Sequence, residues 1–119
     1  MKYRILQIIL LSVLLVGCFS NGSYIEKVSA NYKQTRGYNS LKIIYKGLSK
    51  GMQKKEVDRL LGEPDYSPID GQYYYSSDHY EYSEQQERNV SVGLVVDYRN
   101  SDGIVTEKLQ EYRLGPIGE

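Results

Sequence analysis

Val90-Ser91-Val92-Gly93-Leu94-Val95-Val96-Asp97 sets Val90, Val92, Leu94 and Val96 against Ser91, Gly93, Val95 and Asp97. A period of two is the mark of a β-strand with one face toward a core. Downstream, Asn100-Ser101-Asp102-Gly103 is a turn signal. Ile104 to Arg113 then predicts another strand, in which Val105, Glu107, Leu109, Glu111 and Arg113 alternate with Ile104, Thr106, Lys108, Gln110 and Tyr112. Upstream, Gln72 to Ser76 carries three consecutive tyrosines and predicts the first strand. Asp78 to Asn89 is polar and acidic and reads as a long hairpin loop or two ragged strand ends, and Asp65 to Gly71 is turn-rich. The reading is three antiparallel strands.

Ahead of them the period is helical. Val57, Leu60 and Leu61 form the apolar stripe of a helix from about Gln53 to Leu61, with Gly62 placed to cap it and Pro64 to prevent continuation. Leu41, Ile44, Tyr45 and Leu48 follow the i, i+3, i+4, i+7 pattern of a second helix, with Asn39 or Ser40 available as its N-cap. Ile25, Val28 and Tyr32 trace a weaker helical pattern that Gly37 and Asn39 interrupt. The fold class expected is α+β: two short helices packed on a three-stranded antiparallel sheet, in the order ααβββ.

The N-terminus has a different character. Lys2 and Arg4 precede an apolar run from Ile5 to Val16, broken only by Gln7 and Ser12. The run falls short of the roughly 20 apolar residues a spanning helix needs, and it has the layout of an export signal. It ends in Leu15-Val16-Gly17-Cys18, a lipobox: a small residue before a cysteine whose thiol is acylated and which becomes the new N-terminus. The alternatives are an ordinary signal peptide with a stray cysteine, or an N-terminal membrane anchor. Cys18 is the only cysteine, so it forms no disulfide within the chain and its expected role is anchoring. Phe19 stands where an aspartate would signal inner-membrane retention, which points to the periplasmic face of the outer membrane. The expected organisation is a signal peptide over 1–17, a lipidated tether and weak helix over 18–39, one folded domain over 40–114, and a tail over 115–119.

Cleavage before Cys18 removes two basic residues and no acids. The charge of the rest is lopsided: nine Lys/Arg against three Asp/Glu from Cys18 to Leu60, and four against twelve from Leu61 to Glu119. Taken together, 13 basic against 15 acidic residues after cleavage do not suggest a nucleic-acid binder. Lys42, Lys46 and Lys50, in the anchor-proximal basic half, are candidates for anionic lipid headgroups; the alternative is a plain solvated helix face. The chain has thirteen tyrosines, one phenylalanine and no tryptophan. Tyrosines on a surface suit protein contacts, and tyrosines in strands fill half-buried positions.

Catalysis finds little support. His79 is the sole histidine, and no cysteine or second histidine stands by it to make a metal site. Asp78, His79 and Glu81 superficially suggest a charge relay, but no nucleophile is placed convincingly near them, and no phosphate-binding glycine loop occurs. The reading is a non-enzyme with no cofactor and no metal, carrying only covalent lipid on Cys18.

The stretch from Gly47 to Pro64 contains Gly51-Met52, a short helix with Val57 and Leu60, and Leu61-Gly62-Glu63-Pro64. With Gln72-Tyr73-Tyr74-Tyr75, Leu94-Val95-Val96-Asp97-Tyr98 and Asp102-Gly103-Ile104-Val105 behind a lipobox, it resembles the SmpA/OmlA lipoprotein family. It differs in having Gln53 where that family has Ser or Thr, and tyrosine where its first strand has tryptophan. The resemblance implies an ααβββ fold, a place at the outer membrane, and a supporting contact with another lipoprotein of the β-barrel assembly machinery. It also implies binding to phosphatidylglycerol. On this reading Met52, Tyr73 and Tyr75 are the candidate partner surface. The helix-and-sheet unit also resembles half of a β-lactamase inhibitor protein, so a binding module or enzyme inhibitor is the alternative. A row of exposed tyrosines on an open sheet face would favour the alternative; tyrosines buried under the helices would favour the accessory protein.

Overall fold

The structure, a computed structural model, describes residues 24–117. Helix α1 covers residues 24–35, α2 Tyr38–Gly47 and α3 Lys54–Leu61. Four strands follow: β1 Tyr66–Ile69, β2 Gln72–Ser83, β3 Arg88–Asp97 and β4 Glu111–Pro116. They form one antiparallel sheet in the order β1-β2-β3-β4. The fold is α+β as expected, but with three helices where two were expected and four strands where three were expected. Among the described residues no helix is long and apolar enough to cross a membrane.

One core joins the two layers. Val28 and Tyr32 of α1, Leu41 and Ile44 of α2, Leu48, and Val57, Leu60 and Leu61 of α3 pack with Tyr75, Leu94 and Val96 of the sheet. The weak pattern around Val28 and Tyr32 is thus a full element, held by its neighbours rather than by its own propensity. The Ser29 hydroxyl donates to the Leu60 carbonyl at 2.6 Å, and the Tyr32 hydroxyl donates to the Ser76 carbonyl at 2.7 Å. Helix α2 starts at Tyr38, and neither Asn39 nor Ser40 caps it. The cap comes from β2, where the Asp78 carboxylate accepts the Tyr38 N–H at 2.9 Å, and the Ser40 hydroxyl turns to Asn31 instead. Gly62 ends α3 as expected: its φ of 75° lies where side chains are disfavoured, and its N–H reaches the Asp58 carbonyl.

The strands depart from the sequence reading at three places. The turn-rich stretch contains β1, a short edge strand with Pro68, a residue edges tolerate. Strand β2 continues to Ser83, through the segment expected to be a loop, because pairing with β3 supplies what apolar alternation does not. The third departure is at Ile104 to Arg113. Here the Asn100–Gly103 turn forms, but 104–110 is no regular strand. Its backbone goes to the α2–α3 link: Gly51 N–H to the Leu109 carbonyl, Leu109 N–H to the Met52 carbonyl, and Lys54 N–H to the Glu107 carbonyl. That diversion buries Leu109 and delays β4 to Glu111, so Gly115 and Pro116, expected in a tail, are strand residues.

Three buried tyrosines make this core unusual. Tyr32 has a hydrogen bond, whereas the buried Tyr98 hydroxyl has no partner among the described residues. A buried hydroxyl without a partner costs about 1–3 kcal/mol. Tyr98→Phe is therefore expected to leave stability unchanged or raise it by about 1 kcal/mol, and Tyr32→Phe to lower it by about 1 kcal/mol, both read from urea unfolding midpoints.

Burial also pushes the Tyr32 phenol from 10.0 up to about 12, and the Tyr75 and Tyr98 phenols up further. A raised native pKa means the unfolded chain loses its protons first, so this stability is whole below pH 10 and drains as pH rises toward 12. Tyrosinate absorbance and circular dichroism followed together should show part of the ionisation arriving with unfolding in that window.

Candidate interaction surface

The pairing of β2 with β3 decides which way each tyrosine points. Tyr75 stands opposite Leu94 and Tyr73 opposite Val96, so both share the helix-covered face. Tyr74 stands opposite Val95 and so belongs to the other face, which none of the three described helices covers. Tyr66 of β1 is its cross-strand neighbour, with ring centroids 5.8 Å apart in an edge-to-face contact. Between Ser76 and Tyr80 the β2 strand bulges, advancing four residues while β3 advances from Gly93 to Ser91. Two extra residues preserve the alternation, so Tyr80, opposite Ser91, and Tyr82, opposite Asn89, stay on the uncovered face.

The outcome is a set of four tyrosines on an open sheet. Tyr66, Tyr80 and Tyr82 are 48%, 61% and 65% exposed, and Tyr74 is half-buried. Beside them, Gln72, Val95, Asp97, Glu111, Tyr112 and Arg113 line a shallow hollow of about 160 Å³. Val95 is buried although it lies on this face, flanked across the strands by Tyr74 and Arg113. The Arg99 guanidinium bonds the Asp97 carboxylate at the rim and holds its pKa below the usual carboxylate value. Gly93 is required where the bulge passes over β3: a Cβ there would overlap the Tyr75 carbonyl and the Ile117 side chain.

The residues nominated from sequence fall elsewhere. Tyr75 is only 1% exposed, so its expected place on a partner surface is corrected to the core, where its pairing with Leu94 puts it beneath the helices. Tyr73 is half-buried, edge-on to Tyr98 at 5.9 Å, with the Lys54 ammonium 5.3 Å from its ring centre. Met52 packs half-buried against the same core. Lys42 and Lys46 share one side of α2 at i, i+4 spacing. Lys42 sits 4.9 Å over the Tyr38 ring, Lys46 is exposed, and Lys50 pairs with Glu111 at 3.1 Å. Cys18 lies outside the described residues.

Asp78, His79 and Glu81 do not assemble a relay. Asp78 is occupied by the α2 N-terminus, while His79 stacks on Tyr38 with centroids 4.4 Å apart and its Nε2 3.6 Å from Glu81. Asp78, His79 and Tyr38 edge an open cleft of about 420 Å³ at the α1–α2 junction, lined also by Asn31, Gly37, Asn39 and Ser40. Among the described residues, no three His, Cys, Asp or Glu stand together as a metal site. Against protein-family models, curated proteins and solved structures, the chain finds no significant match.

The assignment of faces separates core tyrosines from surface ones in a single experiment. Tyr75→Ala should cost about 3–5 kcal/mol, as for other buried aromatics, whereas Tyr80→Ala and Tyr82→Ala should each stay within about 0.5 kcal/mol of the parent in urea unfolding.

Proposed function

We propose that the chain is a non-catalytic lipoprotein of the cell envelope, anchored through lipid on Cys18 and acting by protein contact. The observation that carries the second half is the open sheet face with Tyr66, Tyr74, Tyr80 and Tyr82. Tyrosine rings supply apolar area at low entropic cost while their hydroxyls stay wet, the chemistry of protein interfaces. The first half is supported by the lipobox Leu15-Val16-Gly17-Cys18.

The reading of its context is an accessory or scaffold role in envelope or β-barrel protein assembly, at the periplasmic face of the outer membrane. Support comes from the helices-then-sheet order, from the tyrosines buried under the helices, and from the SmpA/OmlA-like run Gly51-Met52 to Leu61-Gly62-Glu63-Pro64. The basic residues Lys42 and Lys46 on α2 suit anionic headgroups such as phosphatidylglycerol in the same setting. One observation favours a second reading, a binding module or enzyme inhibitor with another partner: the exposed tyrosines lie on the sheet face turned away from the helices.

Labelling cells with radioactive palmitate should mark the parent chain and leave Cys18→Ser unlabelled. Label retained on Cys18→Ser would remove the anchor. Affinity purification of the tagged, lipidated chain from native envelope should recover assembly-machinery subunits on the first reading and a different, stoichiometric protein on the second. Recovery of no protein at all would contradict both.

A further inference from the structure

The far half of the β2–β3 hairpin gives the interior one side chain, Val90; the rest of its residues are exposed or half-buried. Strand β1 pairs with β2 only as far as Tyr74, and β4 reaches β3 only as far as Val92, with Ile117 N–H adding one bond to Ser91. Residues 80–83 and 88–90 therefore form a two-stranded arm with no third strand on either side among the described residues. Isolated two-stranded arms are marginal in water, so an outside strand has backbone groups there to satisfy.

Two properties say what kind of segment fits. Tyr80 and Tyr82, the two most exposed of the sheet tyrosines, lie side by side on one face of the arm. The charge of the arm and its turn is one-sided, with Glu81, Glu84 and Glu87 against Arg88. Elsewhere in the described chain five carboxylates are matched to a cation within 3.3 Å: Asp58 with Lys54, Glu56 with Arg59, Asp65 with Arg36, Asp97 with Arg99 and Glu111 with Lys50. Glu63, Asp70, Asp102 and Glu107 are scattered acids without exposed tyrosines paired beside them on a strand. Glu84 and Glu87 have no ion pair among the described residues, and Glu81 has only His79. Exposed aromatic faces attract cations, and unpaired carboxylates complete that preference.

We infer that this arm docks an extended, lysine- or arginine-rich segment of a protein partner, with cationic side chains over Tyr80 and Tyr82 and against Glu84 and Glu87. The inference rests on the protein-contact reading above and names the chemistry of the partner. The exposed carboxylates of the arm favour a cationic segment over a neutral or acidic one.

The test is an amide NMR titration of the isotope-labelled, lipidated mature chain in detergent micelles with a lysine-rich decapeptide. A glutamate-rich and a serine/glycine decapeptide serve as controls. The expected result is shifts confined to residues 79–90 with the basic peptide alone. Affinity should fall about tenfold in Tyr80→Ala/Tyr82→Ala and in Glu84→Gln/Glu87→Gln, and by a similar factor between low and high salt. Both variants alter only exposed residues, and their unperturbed spectra elsewhere report that they fold. Shifts spread over Asp102 and Glu107, or binding that survives loss of both tyrosines, would overturn the inference as mere attraction to acidic surface. So would equal binding of the neutral peptide. A partner recovered from envelope that lacks any cationic segment would defeat this inference alone, whereas recovery of no partner defeats the reading beneath it.

Discussion

The pairing of Tyr75 with Leu94 is the constraint on which the rest depends. It places Tyr73 and Tyr75 under the helices with Leu94 and Val96, and in the same stroke turns Tyr74 outward. A slip of one residue would exchange the two sets, because side chains alternate strictly along a strand. Contacts from distant segments hold the register. The Tyr32 hydroxyl reaches the Ser76 carbonyl, Asp65 bonds the Ser76 amide, and Asp78 caps α2 while its own N–H returns to Arg36. Arg36 itself joins the layers, with its guanidinium over Tyr32 and paired with Asp65 at 3.3 Å. The bulge after Ser76 then extends the outward set to Tyr80 and Tyr82 without reversing it.

The elements legible in the sequence are those whose signals are local. Helix α3 has its stripe in Val57, Leu60 and Leu61 and its stop in Gly62 and Pro64, all within one short stretch. Strand β3 is likewise readable because the core covers Val90, Val92, Leu94 and Val96. What escaped is set by partners far along the chain. The α2 cap is an aspartate forty positions away, the far half of β2 is a strand only by virtue of β3, and 104–110 is drawn off its strand by the α2–α3 link. The surface follows the same rule. An excess of tyrosine is visible in composition, but which tyrosines meet solvent depends on register, so composition does not separate the core residue Tyr75 from the surface residues Tyr80 and Tyr82.

On the functional reading, anchor and surface act together. Between Cys18 and residue 24 the chain reaches at most about 20 Å, so a lipid on Cys18 would keep α1 close to the bilayer. The basic side chains on α2 and the acidic, tyrosine-bearing arm belong to different layers of the fold. A tether at the helical layer leaves the open sheet face free to meet a protein, and restricts that protein to those within reach of the same membrane.

The most direct measurement is photocrosslinking in living cells from a probe at Tyr82, compared with the same probe at Lys46 on the exposed side of α2. Both positions are exposed, so each reports its surroundings without disturbing the core. The expected outcome is a discrete protein adduct from Tyr82 and none of the same mass from Lys46. A protein adduct from Lys46 with none from Tyr82 would contradict it.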